Sequence, residues 1–173
     1  MAAAYLPAPE VSYRCGQLPG MGVLCDYFRA ADDAAATSLM EQTDGGPVAV
    51  AGDGLLDAID LKGIEPHVIL GQLVALAADV PWHPHVVDTE LLWSGGDEGP
   101  WMMSIEDTAR DTLAAIVPGA STSELSAQWG RIEELASSGP LPPEHLVPII
   151  EEIAGLARRA RDAGEHLYCW CSL

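Results

Sequence analysis

The final nine residues, 165–173, constrain the fold most, because two kinds of side chain alternate along them. One set of alternate positions holds Leu167, Cys169, Cys171 and Leu173, and the other holds His166, Tyr168 and Trp170. Successive side chains of a β-strand point to opposite faces of a sheet. The segment is therefore predicted to be a strand with its cysteines on one face and its rings on the other.

A second strand is predicted close to the start of the fold. Residues 22–29 are rich in β-branched and aromatic side chains, and Val23, Cys25 and Tyr27 would share one face. Because the first and last elements are both strands, we expect them to pair in a small antiparallel sheet with the helices packed on one face. The predicted class is α+β and predominantly helical, without the βαβ alternation of nucleotide-binding folds.

Helices are predicted between these two strands. They cover about 33–42, 64–78, 105–116, 121–138 and 142–163. Ser104 with Asp107 and Ser121 with Glu124 have the spacing of a capping box, which marks a helix start. Pro148 indicates either a kink or the true start of the long portion of the last helix.

The length of 173 residues suits one domain. Residues 1–20 contain several prolines and no lasting periodicity, so they are predicted to be an extension outside the fold. Residues 21–173 would then form a single α+β domain, and Met21 is a candidate natural start.

The beginning of the chain shows no export signal, since residues 1–11 lack a basic region and an adequate apolar run. The longest apolar stretch, 68–78, is too short to cross a bilayer. We therefore expect a cytoplasmic protein without membrane association, whose cysteines stay reduced.

The charge is strongly acidic, with 26 Asp and Glu against 8 Lys and Arg and a net charge of −18. Nucleic-acid binding needs clustered basic residues, so this class of partner is disfavoured. The same charge would attract a basic protein partner, although plain solubility is an alternative explanation.

The segment from Pro81 to Pro100 is predicted to be a long irregular loop, or to hide a short element around 87–93. It concentrates tryptophan and titratable side chains, which is typical of small-molecule pockets and partner surfaces. The candidate ligand- or partner-binding residues are Trp82, His83, His85, Asp88, Glu90, Trp93 and Trp101. The alternative is a loop that its tryptophans pin to the core.

A zinc site could draw two ligands from His83 and His85 and two from Cys169 and Cys171. The single-residue spacing within each pair is shorter than in structural zinc sites, and the cysteines fit a buried strand face. Buried thiols are therefore favoured, with a Cys25–Cys169 disulfide as a further alternative. The sequence assigns no metal and no cofactor.

Catalytic residues stay unknown. A Gly-x-Ser-x-Gly motif and a glycine-rich phosphate loop with its lysine are both absent from the sequence. Whether the protein is an enzyme is uncertain, but the lack of motifs favours a non-enzymatic role.

Four short motifs follow one another along the chain. They are Met21-Gly22-Val23 with Tyr27-Phe28, Asp60-Leu61-Lys62, Pro100-Trp101-Met102-Met103-Ser104, and Gly164-Glu165-His166 with Trp170. In this order they resemble the YfbM-like bacterial proteins, a family of domains of unknown function, over residues 21–173. Gly63 and Ile64 stand where that family has a tryptophan. The resemblance implies an α+β, cytoplasmic fold and no established activity.

Two functions follow from these features. The first is a non-enzymatic interaction domain that binds a basic protein, as an immunity protein or antitoxin would. The alternative is a small-molecule-binding protein or enzyme that uses the segment 81–101.

Overall fold

A computed structural model describes residues 22–49, 56–136 and 142–173. The strands are β1 (Leu24–Ala30), β2 (Ala58–Asp60), β3 (Thr89–Ser94), β4 (Trp101–Ile105) and β5 (His166–Ser172). The helices are α1 (Asp33–Gln42), α2 (Ile69–Ala78), α3 (Asp107–Ala114), α4 (Ala120–Trp129), α5 (Glu133–Ala136) and α6 (Pro143–Ala163). The predicted extension 1–20, the start at Met21 and the end of the predicted helix 121–138 lie outside the described residues.

The five strands form one antiparallel sheet in the order β2-β1-β5-β4-β3. The predicted pairing of the first and last strands is confirmed, with Cys25 opposite Cys171 and Tyr27 opposite Cys169. The predicted α+β class, predominantly helical with a small antiparallel sheet, is confirmed as well. The two strands furthest apart in the chain are therefore neighbours within the sheet.

The two faces of the sheet carry different side chains, as the alternation predicts. The face with Cys25 and Cys169 packs against α2, α3, α4 and α6 in the larger core. On the opposite face, Phe28, Tyr168 and Trp170 pack against α1. The expectation that all helices lie on one face is thus wrong. Burying these large apolar rings is favourable, and α1 buries them on the second face.

Two predicted helix starts are wrong. Helix α2 begins at Ile69 rather than near residue 64, because the Glu65 carboxylate accepts the backbone N–H groups of His67, Val68 and Ile69. Such a carboxylate satisfies backbone donors that have no partner inside the helix. Ser104 belongs to β4 and pairs with Tyr168, so it does not cap α3.

The segment 81–100 is not one long irregular loop, since β3 occupies its middle. The hidden element that we predicted around 87–93 is confirmed as this strand. Helix α6 continues through Pro148 and ends at Gly164, which adopts a left-handed conformation with φ 68°. Among the described helices, none has the length and apolar character that crossing a bilayer requires.

Candidate functional site

The structure does not gather the seven candidate residues of the segment 81–101 into one pocket. Trp82, His83, His85, Asp88 and Glu90 are exposed, and Trp93 and Trp101 are half-buried. Trp93 pairs with Met102 on the α1 face of the sheet, whereas Trp101 pairs with Cys171 on the opposite face. The side chains of His85 and Asp88 do meet, at 3.3 Å.

A second group of side chains converges at one edge of the sheet. Strands β1 and β4 run in the same direction, because each pairs antiparallel with β5 between them. Their carboxyl ends therefore meet the amino end of β5, and α1 and α3 begin directly after them. Acidic residues are favoured in the first turn of a helix, so both helices bring carboxylates to this edge.

These residues enclose a cleft of about 290 Å³, here called the acidic cleft. Its lining consists of Asp32, Asp33, Ser104, Ile105, Glu106, Asp107 and His166. Four of these seven residues are acidic, and Asp32, Asp33 and Asp107 are exposed to solvent. The acidic cleft is therefore an open, negatively charged depression rather than a closed cavity.

Three of its carboxylates, those of Asp32, Asp33 and Glu106, each accept one hydrogen bond from the protein. The donors are the N–H of Ala35, the hydroxyl of Tyr168 and the N–H of Asp88, at 2.8, 3.0 and 3.2 Å. No basic side chain in the described ranges forms an ion pair with any of the three. A carboxylate can accept about four hydrogen bonds, so all three can accept further donors.

The fourth carboxylate, that of Asp107, is engaged within the fold. Its Oδ1 atom lies 2.8 Å from Arg110 Nη1 and 2.8 Å from His166 Nδ1. Arg110 also donates to the backbone oxygen of Glu165 at 2.8 Å, so α3 is tied to the start of β5. Asp107 is therefore less available to a ligand than the other three carboxylates, and its main role is to hold the wall of the acidic cleft in place.

Two of the candidate residues from the segment 81–101 border this cleft. Glu90 pairs with Ser104 across the hairpin of β3 and β4. The backbone of Asp88 exchanges hydrogen bonds with Glu106, donating to its side chain and accepting from its N–H. The cleft itself was not predicted from the sequence. A usable signal was present, because acidic residues stand at the starts of two helices that each directly follow a strand.

A third group consists of Cys25, Cys169 and Cys171, here called the thiol cluster. The Sγ atom of Cys171 lies 3.6 Å from that of Cys25 and 3.4 Å from that of Cys169, and all three lie within 4.8 Å of one another. All three residues are buried, as the strand alternation predicted, and their thiols are free. The alternative of a Cys25–Cys169 disulfide is not what the structure shows.

Histidine does not belong to this group. Within the described ranges, one group of three or more possible metal ligands comes together, and it is the thiol cluster. His83 and His85 do not belong to it. The ligand set considered from the sequence, two histidines with Cys169 and Cys171, is thus not assembled. The fourth cysteine, Cys15, lies outside the described residues.

The three thiols differ in acidity because they contact one another. Hydrogen bonds from Cys169 and then from Cys25 lower the pKa of Cys171 to about 4, and the charge of His67 acts in the same direction. Burial raises the pKa of Cys169. The contacts thus favour the thiolate form of Cys171, which hydrogen bonds from the other two thiols stabilise.

No protein-family model, curated protein or solved structure matches the chain. Membership of the YfbM-like family therefore stays a prediction from the four sequence motifs.

Proposed function

We propose that this protein is a non-enzymatic interaction domain that binds a basic protein partner, with an arginine or lysine side chain of that partner in the acidic cleft. The supporting observation is the set of three carboxylates, Asp32, Asp33 and Glu106, which surround one cleft without a basic side chain paired to them in the described ranges.

The size of the cleft supports a side chain as its occupant. Its volume of about 290 Å³ lies at the lower limit of small-molecule pockets, which run from roughly 300 to 1,000 Å³. A guanidinium group presents five N–H donors in a planar fork, and carboxylates accept such forks in pairs. Asp32 and Asp33 on one side and Glu106 on the other offer acceptors from two directions.

The charge of the whole chain supports the same partner class. A net charge of −18 speeds the encounter with a basic protein, and the acidic cleft would then select one side chain on its surface. A concrete form of this function is the neutralisation of a basic protein in the cytoplasm, as an immunity protein or antitoxin performs it. The alternative of a small-molecule site in the segment 81–101 has less support, because Trp93 and Trp101 lie on opposite faces of the sheet.

The experiment compares two variants that remove the same charge from different places. In the variant D32N/D33N the amide oxygens can still accept from the N–H of Ala35 and the hydroxyl of Tyr168. Asparagine is also a good residue at the start of a helix. The control variant D97N/E98Q changes two exposed acids in the turn between β3 and β4. Binding of a fluorescent peptide of alternating arginine and glycine is measured by anisotropy at low and at high salt.

We expect D32N/D33N to weaken peptide binding by roughly 10-fold, since each tenfold corresponds to about 1.4 kcal/mol. The control should weaken it by less than about twofold, because exposed charges remote from the peptide are screened by salt. Equal losses in the two variants would show that net charge alone attracts the peptide. That result, or the absence of binding by the wild-type protein at low salt, would refute the proposal.

A further inference from the structure

The thiol cluster brings one sulfur atom from the first strand together with two sulfur atoms from the last strand. Cys25 lies 146 residues before Cys171, yet the pairing of β1 with β5 places them directly opposite each other. Cys169 lies two positions before Cys171 on the same face of β5, opposite Tyr27. Two neighbouring strands thus present three possible metal ligands from rigid backbone positions.

The distances between the sulfur atoms suit a single metal ion. An ion bound to three sulfurs at about 2.3 Å in one plane would separate them by roughly 4.0 Å. Two of the separations, 3.6 and 3.4 Å, are a few tenths of an ångström shorter than this value, and the third is within 4.8 Å. Binding would therefore need shifts of a few tenths of an ångström rather than a change of fold.

We propose that Cys25, Cys169 and Cys171 form a binding site for one thiophilic metal ion, copper(I), coordinated by the three sulfur atoms. Thiolate ligands select soft ions such as copper(I). Structural zinc sites use four ligands in a tetrahedron, whereas the described residues group only three here. A soft ion that accepts three-coordinate sulfur ligation fits this ligand set better than zinc does.

The surroundings would hold the ligands in place and shield the ion. Tyr27 beside Cys169 is fully buried, and its hydroxyl donates to the backbone oxygen of Ile64 at 2.7 Å. Cys25 and Cys169 are 0% exposed, whereas Cys171 is 6% exposed, so an ion would enter past Cys171. The site lies among the helices that cover this face of the sheet, apart from the acidic cleft, and does not depend on the function proposed for that cleft.

The test uses the full chain with Cys15→Ser, which removes the one thiol outside the cluster. Copper(I) is added in the absence of oxygen, and a chromogenic chelator buffers the concentration of free copper(I). We expect one ion per chain and, in X-ray absorption, three sulfur neighbours at about 2.3 Å. Because Cys25, Cys169 and Cys171 are all kept, this measurement does not depend on the folding of a cluster variant.

Two variants test the assignment of ligands on the same background. Cys171→Ser should weaken copper(I) binding by roughly 100-fold or more, whereas restoring Cys15 should leave the affinity of the cluster unchanged. Circular dichroism establishes that the Cys171→Ser variant is folded. Nitrogen or oxygen neighbours in the absorption spectrum, fewer than three sulfurs, or preferential binding of one zinc ion would each overturn the proposal.

Discussion

The Nδ1 atom of His166, the first residue of β5, lies 2.8 Å from the Oδ1 atom of Asp107, the first residue of α3. The same oxygen accepts a hydrogen bond from Arg110, which also binds the backbone of Glu165. One carboxylate thus ties the start of a helix to the start of a strand. Because Asp107 is engaged in this way, Asp32, Asp33 and Glu106 are the acids of the cleft that are open to a partner.

Replacement of Asp107 by alanine should therefore destabilise the fold. Arg110 is largely buried, with 11% of its side chain exposed, and it would lose a charged hydrogen-bond partner. We expect a loss of about 1–3 kcal/mol in the free energy of unfolding, measured in urea. Asp111→Ala is the matched control, because Asp111 also pairs with Arg110 and is similarly exposed, at 53% against 48%, whereas Asp107 in addition contacts His166 of β5. A larger effect of the control would contradict this role of Asp107.

Gly45 allows the close approach of Trp93 on the α1 face. Its φ is +69°, and a Cβ atom there would lie 2.6 Å from Cη2 of Trp93. Gly164 has nearly the same φ of +68°, but a Cβ atom there would meet nothing within 4 Å. Both alanine variants should lose about 1–2 kcal/mol for the left-handed backbone. Gly45→Ala should lose about 1–3 kcal/mol more for the clash, and equal melting temperatures for the two would contradict that packing.

Asp57 provides a pH-dependent contribution to stability. Its carboxylate accepts from Nε and Nη2 of Arg159 at 2.6 and 2.7 Å and from Nε of Arg29 at 2.6 Å. The hydrogen bonds from Arg159, and the one from Arg29, lower the pKa of Asp57 below its ordinary 3.8. The contribution is therefore fully present above pH 3.8 and is lost as the pH falls through the lower pKa of the folded state.

The variant Asp57→Asn should accordingly be less stable than the wild type by about 1–2 kcal/mol near neutral pH. The difference should shrink as urea unfolding is repeated at pH values approaching about 3. Asp162→Asn serves as a control, because its carboxylate is 68% exposed and pairs with Arg161 on the surface. A difference for Asp57→Asn that does not change with pH would contradict the ion-pair account.

Much of the sheet could be predicted from residue types, because side-chain alternation is a local property of a strand. The segment 165–173 alternates strictly, and the structure places its two sets of side chains on opposite faces of the sheet as predicted. The start of α2 could not be predicted in this way. It depends on Glu65, whose carboxylate takes three backbone donors before the helix begins.

Both sites depend on which strands are neighbours, and of these neighbours the sequence predicted the pairing of β1 with β5 but not the place of β4. The acidic cleft joins residues 32–33 with 106–107 and His166, and these meet only when β5 lies between β1 and β4. The thiol cluster depends in addition on register, since a shift of one residue would move Cys25 to the face of the rings. Residue spacing alone suggested pairs of ligands along the chain, such as His83 with His85, rather than Cys25 with Cys171.

The most direct test of the central claim is to map where a basic peptide binds. Isotope-labelled protein is titrated with the alternating arginine–glycine peptide, and the backbone amide resonances are followed by NMR. The proposed function predicts saturable shifts concentrated at residues 32–33, 104–107 and 166, which line the acidic cleft. Shifts that are equally large at exposed acids elsewhere, such as Asp97, Glu98 and Asp162, would contradict it.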